Sequence, residues 1–438
     1  MGARETALNV LIACRREEGW SNSVLKDYLI RDRLDRRDSA LATRLCYGVV
    51  QNRGLLDHYL AQLLTGKLKD LHPVLRDILH LGMYQICFMD KIPDSAAVNE
   101  SVDLAKKYCG KVRGGSGLVN AVLRNAVRRA GEFTQPKSWE ELYSHPGKLI
   151  NELKSYVGKA RIEPMLKANN AIPPTVVQVN TLRITTAELV QKLEGEGVTV
   201  RLHDWMPDCL VLGGTGDLER LESFQQGLYY VQDCAARLSV LCAQLPEGDI
   251  RVLDCCAAPG GKSFAAAIAM GGRGSITSCD VHPHKITLIQ KGAERLGFGN
   301  ITAQLRDATD PCESWESAMD AVICDVPCSG YGIIRKKPDI RYKDPDSMKD
   351  LPALQLQILE RQAAFVKPGG VLLYSTCTLL HRENEGVVEE FLHAHPEYTL
   401  EKLPLPKPFP ENESGMLALV PGEYDTDGFF IARLRRTV

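Results

Sequence analysis

Two cysteines stand where a thiol could act as a nucleophile. Cys328 follows Pro327 in the run Asp325-Val-Pro-Cys-Ser-Gly330, and Cys377 closes the apolar run Val371-Leu-Leu-Tyr-Ser-Thr-Cys377. The thiolate is the reactive form of the residue, and a strand end is a place where it can be activated and reached. Spacing alone does not choose between the two. Asp325 shortly precedes Cys328, so its carboxylate is expected in the same pocket, where it could hold or exchange a proton; the bland alternative is a turn cap. Upstream, Cys256-Ala257-Ala258-Pro259-Gly260-Gly261-Lys262 follows the apolar run Arg251–Asp254. Gly260 and Gly261 permit positive φ and close backbone approach, while Pro259 cannot continue a strand. A strand, tight turn and helix in that order gather backbone N–H groups and a positive helix end at one spot, which suits a nucleotide-like ligand. A phosphate-binding loop, G-x-x-x-x-G-K-[ST], would need glycine at 256, where Cys256 stands, so an NTPase is disfavoured. A plain βα turn without a ligand stays open.

The elements that must position these groups alternate strand and helix. Gly274–Asp280 reads as a strand, His284–Leu296 as a helix, Ile301–Asp307 as a strand and Asp320–Asp325 as another, each strand ending in a carboxylate. In a parallel sheet Asp280, Asp307 and Asp325 then line the carboxyl edge, where open α/β sheets bind ligands. Counting Arg251–Asp254 as the first strand, the carboxylate after the second, Asp280, suits ribose hydroxyls and the one after the third, Asp307, an adenine amino group, which together describe a nucleoside cofactor without phosphates. A small-residue helix is expected from Phe264 to Met270. A long helix from Met348 to Val366 is expected to stop at Lys367-Pro-Gly-Gly370. The strand ending in Cys377 follows, then a helix from Asn384 to His393 and a closing edge strand near Gly428–Leu434. Strands alternating with helices predict a doubly wound, Rossmann-like α/β domain over residues 239–438.

Ahead of it, Pro173–Arg183, a helix at Thr186–Glu196, a strand pair near Gly197–Leu212 and Gly227–Asp233 predict a small α+β subdomain, which with a polar linker at Glu132–Pro146 spans 136–238. Residues 1–135 read as all-helical, with apolar residues at helical spacing in Leu8, Leu11 and Ile12, in Leu41, Leu45 and Val49, and in Leu118, Val119, Val122 and Leu123. Arg124 and Arg128 fall one turn apart, away from that stripe, facing phosphate or water. Residues 1–138 carry 22 Lys and Arg against 15 Asp and Glu, leaving 31 against 40 in the rest. A basic module on an acidic body points to a polyanionic partner, against the alternative of a solvated helical surface. The basic loop Gly330–Arg341 adds Arg335, Lys336, Lys337 and Arg341 as candidate phosphate contacts. With 44% hydrophobic and 25% charged residues the chain has a globular composition. No stretch approaches the ~20 apolar residues of a membrane span. Fourteen scattered cysteines without a C-x-x-C pair suggest a reducing compartment, the cytoplasm, and no metal.

Taken together, Leu253–Lys262, Asp325–Gly330 and Ser375-Thr-Cys377 resemble the RNA cytosine-5 methyltransferase family, and Val179-Asn-Thr-Leu-Arg183 is similar to its N-terminal motif. Gln232-Asp233 continues as Cys-Ala-Ala-Arg, a departure from the acidic-then-serine continuation of the family. Asp38–Gly48, Leu75–Tyr84 and Gly117–Arg124 resemble the NusB-like helical RNA-binding domain. The resemblance implies S-adenosyl-L-methionine as cofactor, cradled by the backbone of Cys256–Gly261 with Asp280 on the ribose and Asp307 on the adenine. Lys262 steadies the loop or a nearby carboxylate. It implies Cys377 as the nucleophile that adds to C6 of cytosine, Cys328 as an aid to release, and Asp325 at N3 and the exocyclic amine; in DNA cytosine methyltransferases a Pro-Cys cysteine is instead the nucleophile. The resemblance implies small-subunit (16S) ribosomal RNA at cytosine-967 as the target; the NusB-like front disfavours transfer RNA, the intact cysteines and cofactor loop argue against a silent assembly factor, and a monomer is expected.

Overall fold

Among the described residues, seven α-helices build the front of the chain: α1 (Ala3–Arg16), α2 (Asn22–Arg31), α3 (Arg36–Gln51), α4 (Arg53–Ala61), α5 (Pro73–Phe88), α6 (Asp94–Tyr108) and α7 (Gly115–Arg128). In this computed structural model the described residues are 2–16 and 22–437. Local chemistry sets the helix starts. Asp35 caps α3 by accepting from the Asp38 N–H at 2.8 Å, and Pro73 opens α5. Periodic apolar residues from each stretch, Leu8, Leu45, Val119 and Leu123, are fully buried in one core, together with Ile78 and Leu79 of α5. Gly48 of α3 lies against the Tyr84 ring of α5 so closely that a Cβ there would sit 1.9 Å from a ring carbon. Only glycine lets the two helices meet at that point.

The expected linker at Glu132–Pro146 is not a free tether. Phe133 stacks on Tyr59 with centroids 4.9 Å apart, and the backbone N–H of Thr134 donates to Gln62 at 3.1 Å. The described residues group into two compact units. One takes in the chain up to Ser155 with Ile162–Ala171 and Ile334–Asp344; the other takes in Tyr156–Arg161, Ile172–Ile333 and the chain from Pro345 on.

The second unit holds two sheets. Strands β1 (Thr175–Val179), β2 (Thr199–Leu202), β3 (Cys209–Gly213) and β4 (Tyr229–Val231) form an antiparallel sheet in the order β2-β3-β1-β4. The helix Thr186–Gly195, with a Thr185–Glu188 capping box, completes this small α+β body. The larger sheet contains β5 (Arg251–Asp254), β6 (Ser275–Asp280), β7 (Ile301–Leu305), β8 (Met319–Asp325), β9 (Val366–Thr376), β10 (Tyr398–Leu400), β11 (Met416–Leu419) and β12 (Phe429–Arg436). Its order is β10-β12-β9-β8-β5-β6-β7, with β11 also on β12. Strands β5 to β9 run parallel, as the alternation predicts.

Three expectations need correction. The last strand is not an edge: β12 pairs with β9 on one side and with β10 and β11 on the other, and its first six residues are buried. Lys367–Gly370 does not separate helix from strand. The helix Leu351–Ala363 stops earlier, and these residues are an irregularity at the start of β9, with the Lys367 ammonium 2.9 Å from Asp320. The helix after the glycine turn spans Gly261–Ala269, three residues ahead of its expected start at Phe264, because Gly260 at φ +112° serves as its cap.

Candidate active site

The sheet reverses direction between β5 and β8, since β6 and β7 lie to one side and β9 to the other. Such a reversal opens a crevice at the carboxyl ends of the two strands. Asp325 at the end of β8 is in register with Ser375 near the end of β9. Both chains then turn, and the turns bring Cys328 and Cys377 together with their sulfurs 3.3 Å apart. Contact with the Cys377 sulfur, then burial, then the negative charges of Glu383 and Asp325 push the Cys328 thiol well above its ordinary pKa.

Asp325 is fixed from two sides. Its Oδ2 accepts from the Lys262 ammonium at 2.6 Å and its Oδ1 from the Ser375 hydroxyl at 2.9 Å, with the carboxylate 30% exposed. Lys262 itself is buried over the Phe429 ring, so its charge is committed to this carboxylate. The loop that carries Lys262 leaves β5 with the Ala257 N–H on the Cys279 carbonyl of β6. A Cβ at Gly260 would fall 2.5 Å from the Phe264 ring, and one at Gly261 would fall 2.8 Å from the Gln232 amide. The loop is thus a glycine cradle ending in a helix whose first N–H groups, Gly261 to Ser263, have no intrahelical acceptor. Beneath it lies a feature outside the sequence expectations. Ser278 donates to Ser263, and Ser263 to Asp254 Oδ2, both at 2.7 Å, and Asp254 Oδ1 is buried without a partner. Burial pushes Asp254 up to about 7.

The two other strand-end carboxylates differ. Asp280 is almost buried; its Oδ1 accepts from the His282 N–H at 3.1 Å, and Lys285 approaches at 3.5 Å. Asp307 is exposed, and its Oδ1 takes the N–H and hydroxyl of Thr309, bonds that hold its pKa down. A cradle of N–H groups flanked by carboxylates after β6 and β7 fits S-adenosylmethionine, which presents a carboxylate, ribose hydroxyls and an adenine amine.

Of the basic candidates, Arg124 and Arg128 are exposed on α7, Lys337 is exposed, and Arg335 and Lys336 are half-buried. Arg341 is not a phosphate contact. It is fully buried, and its guanidinium donates to the Gln51, Tyr143 and Pro338 carbonyls at 2.9, 3.2 and 3.0 Å and to the Asn170 side chain at 2.8 Å. Burial lowers its pKa to about 10. The loop segment Ile334–Asp344 belongs to the helical unit, whereas both thiols belong to the other. Among the described residues no group of three or more His, Cys, Asp or Glu could hold a metal ion, and no helix is long and apolar enough to cross a membrane.

Residues 241–435 match the family model described as 16S rRNA methyltransferase RsmB/F, residues 1–128 match the NusB family, and residues 145–219 match the ferredoxin-like domain of RsmF/B-like methyltransferases. A probable ribosomal RNA small subunit methyltransferase B of Bacillus subtilis is 36% identical, covering 99% of this chain and 98% of its own. Its counterpart in Vibrio cholerae is 34% identical over 91% and 90%. The chain belongs to the RsmB/F methyltransferase family. Among solved structures, that of PH0851 is similar over 98% of each chain at a TM-score of 0.80 and 26% identity. As an RsmB/F protein the chain is an S-adenosylmethionine-dependent RNA cytosine-5 methyltransferase with a NusB-like front and a ferredoxin-like insert. The RsmB/F signature was legible in the thiols, the cradle and the strand-end carboxylates. Glu383, Gln355 and Asn384, which hold the turns around the thiols, carried no signal beyond being polar residues.

Proposed function

We propose that this methyltransferase makes 5-methylcytosine in 16S ribosomal RNA, at cytosine-967, through a covalent bond between Cys377 and C6 of the base. The observation that carries the reading is the pair of sulfurs 3.3 Å apart beside the Lys262–Asp325 ion pair at the sheet's crevice. When bound, S-adenosylmethionine supplies the methyl group. The backbone of Cys256–Gly261 holds its methionine part, Asp280 the ribose and Asp307 the adenine, while Lys262 acts through Asp325.

Cytosine C5 is too weak a nucleophile to take a methyl group unaided. The Cys377 thiolate adds to C6, the electron pair of the C5–C6 bond becomes available at C5, and Asp325 steadies N3 and the exocyclic amine as charge builds on the ring. After methylation the C5 proton leaves to water, the C6–S bond breaks, and its electron pair returns to the Cys377 sulfur. The Cys328 S–H donates to that sulfur and eases its departure. Arg124, Arg128, Arg335, Lys336 and Lys337 dock the RNA backbone without reading sequence. The setting is the cytoplasm and the working form a monomer.

The test is RNA substituted with 5-fluorocytidine, which lacks the departing proton and traps the adduct on a denaturing gel. Wild type and Cys328→Ala should both form the adduct, and Cys328→Ala should also accumulate it on ordinary RNA. Cys377→Ala should form none. An adduct with Cys377→Ala but not with Cys328→Ala reverses the roles, and methylation of transfer RNA but not 16S ribosomal RNA overturns the target.

A further inference from the structure

The turns that carry the two thiols are each held on both sides of the cysteine, and the holders are neighbours in sequence. Around Cys377, the Thr376 hydroxyl donates to Asn384 Oδ1 at 2.6 Å, and Asn384 Nδ2 donates to the Thr378 carbonyl at 3.1 Å. Around Cys328, the Ser329 N–H donates to Glu383 Oε2 at 2.9 Å, and Gln355 Nε2 ties that same oxygen, at 3.0 Å, to the Pro327 carbonyl, at 2.9 Å. The hydroxyls of Ser329 and Thr378 meet at 2.6 Å and link the two turns, while the Tyr374 hydroxyl anchors the Glu383 carbonyl at 2.6 Å. Glu383, Asn384, Gln355 and Thr378 are all fully buried.

We propose that Glu383 and Asn384 are positioning residues with separate duties, Asn384 setting the attack of Cys377 and Glu383 setting the release step served by Cys328. The proposal rests on the adduct reading above. A carboxylate is an expensive choice for a purely structural bolt. It must be desolvated, and Glu383 Oε1 has no partner, so a neutral side chain would brace the turn at lower cost. What a neutral side chain would not supply is negative charge beside Cys328, which favours the neutral thiol that donates to Cys377. Asn384 is uncharged, and its side chain bonds to the Cys377 turn and to the Tyr156 hydroxyl, so its loss should misplace the nucleophile without touching the charge.

The experiment follows adduct formation on 5-fluorocytidine RNA and adduct persistence on ordinary RNA, with melting temperature as the fold control. Asn384→Leu should slow formation about tenfold or more, as expected for a nucleophile off its line of attack. Glu383→Gln should form the adduct at the wild-type rate yet accumulate it on ordinary RNA. The alkaline limb of its release rate should move to lower pH, because removing the charge lets Cys328 ionise sooner. If either variant melts before assay, Asn384→Ser and Gln355→Leu take their places; the first withdraws the amide that bonds Thr378 and Tyr156 without adding charge, and the second frees Pro327 while leaving the charge. Equal slowing of formation and release by both variants, with an unmoved alkaline limb, overturns the proposal. Absence of adduct with wild type would instead overturn the underlying reading.

Discussion

Asp254 gives the sharpest physical prediction. Its carboxyl group is fully buried under the glycine cradle, with one oxygen bonded to Ser263 and the other unpartnered. Burial lifts its pKa from an ordinary 3.8 to about 7. A carboxyl whose folded pKa is raised binds a proton in the native state where the unfolded chain has already lost it, so stability falls as pH rises between those two values and is level above the higher one. At about 1.4 kcal/mol per unit, Asp254 destabilises the protein by about 3 kcal/mol more at pH ~8 than at pH ~5. Asp254→Asn keeps the shape and an acceptor for Ser263 but cannot ionise. The amount by which the variant melts above wild type should therefore grow by roughly 6–12 °C from pH ~5 to pH ~8, since about 1 kcal/mol moves the midpoint of such a unit by roughly 2–4 °C. The assay is thermal melting without added cofactor across that range. A difference between the two proteins that does not change with pH would refute the reasoning.

The remaining predictions concern the cradle and the basic loop. Gly260→Ala forces a left-handed backbone on an L-residue, at about 1–2 kcal/mol, and drives a methyl into the Phe264 ring, at about 1–3 kcal/mol; melting should fall and the dissociation constant for S-adenosylmethionine should rise, and unchanged affinity would remove the loop from the cofactor site. Arg341→Met leaves several buried carbonyls without a donor and should cost roughly 3–5 kcal/mol of stability, measured by melting. Lys337→Ala should leave melting alone and lower the salt dependence of RNA binding by about one unit of slope. A weaker salt slope for a folded Arg341→Met would restore Arg341 as a phosphate contact.

What the sequence could and could not convey follows from the range of the forces involved. Strands that alternate with helices and end in aspartate announce a ligand edge because the pattern is local, and the meeting of Cys328 with Cys377 follows from it: Asp325 and Ser375 are register partners, and each thiol lies just past that pair. The start of the helix at Gly261 escapes sequence reading because a glycine in a left-handed conformation caps a helix without any side-chain signature. The place of β12 escapes it for a different reason. Alternation reports which face of a strand is buried, not how many neighbours it has, and β10 and β11 are strands of three and four residues with no periodic signal of their own. Arg341 sits in a run of like charges that reads as solvated. What buries it is a ring of carbonyls supplied by residues 51, 143 and 144, together with Asn170, and partners that distant leave no trace in local composition. The same holds for Glu383 and Asn384, which stand at the start of a helix and also hold two turns brought to them by the sheet. Positioning residues are hard to read for that reason: their chemistry is ordinary, and only the fold supplies what they hold.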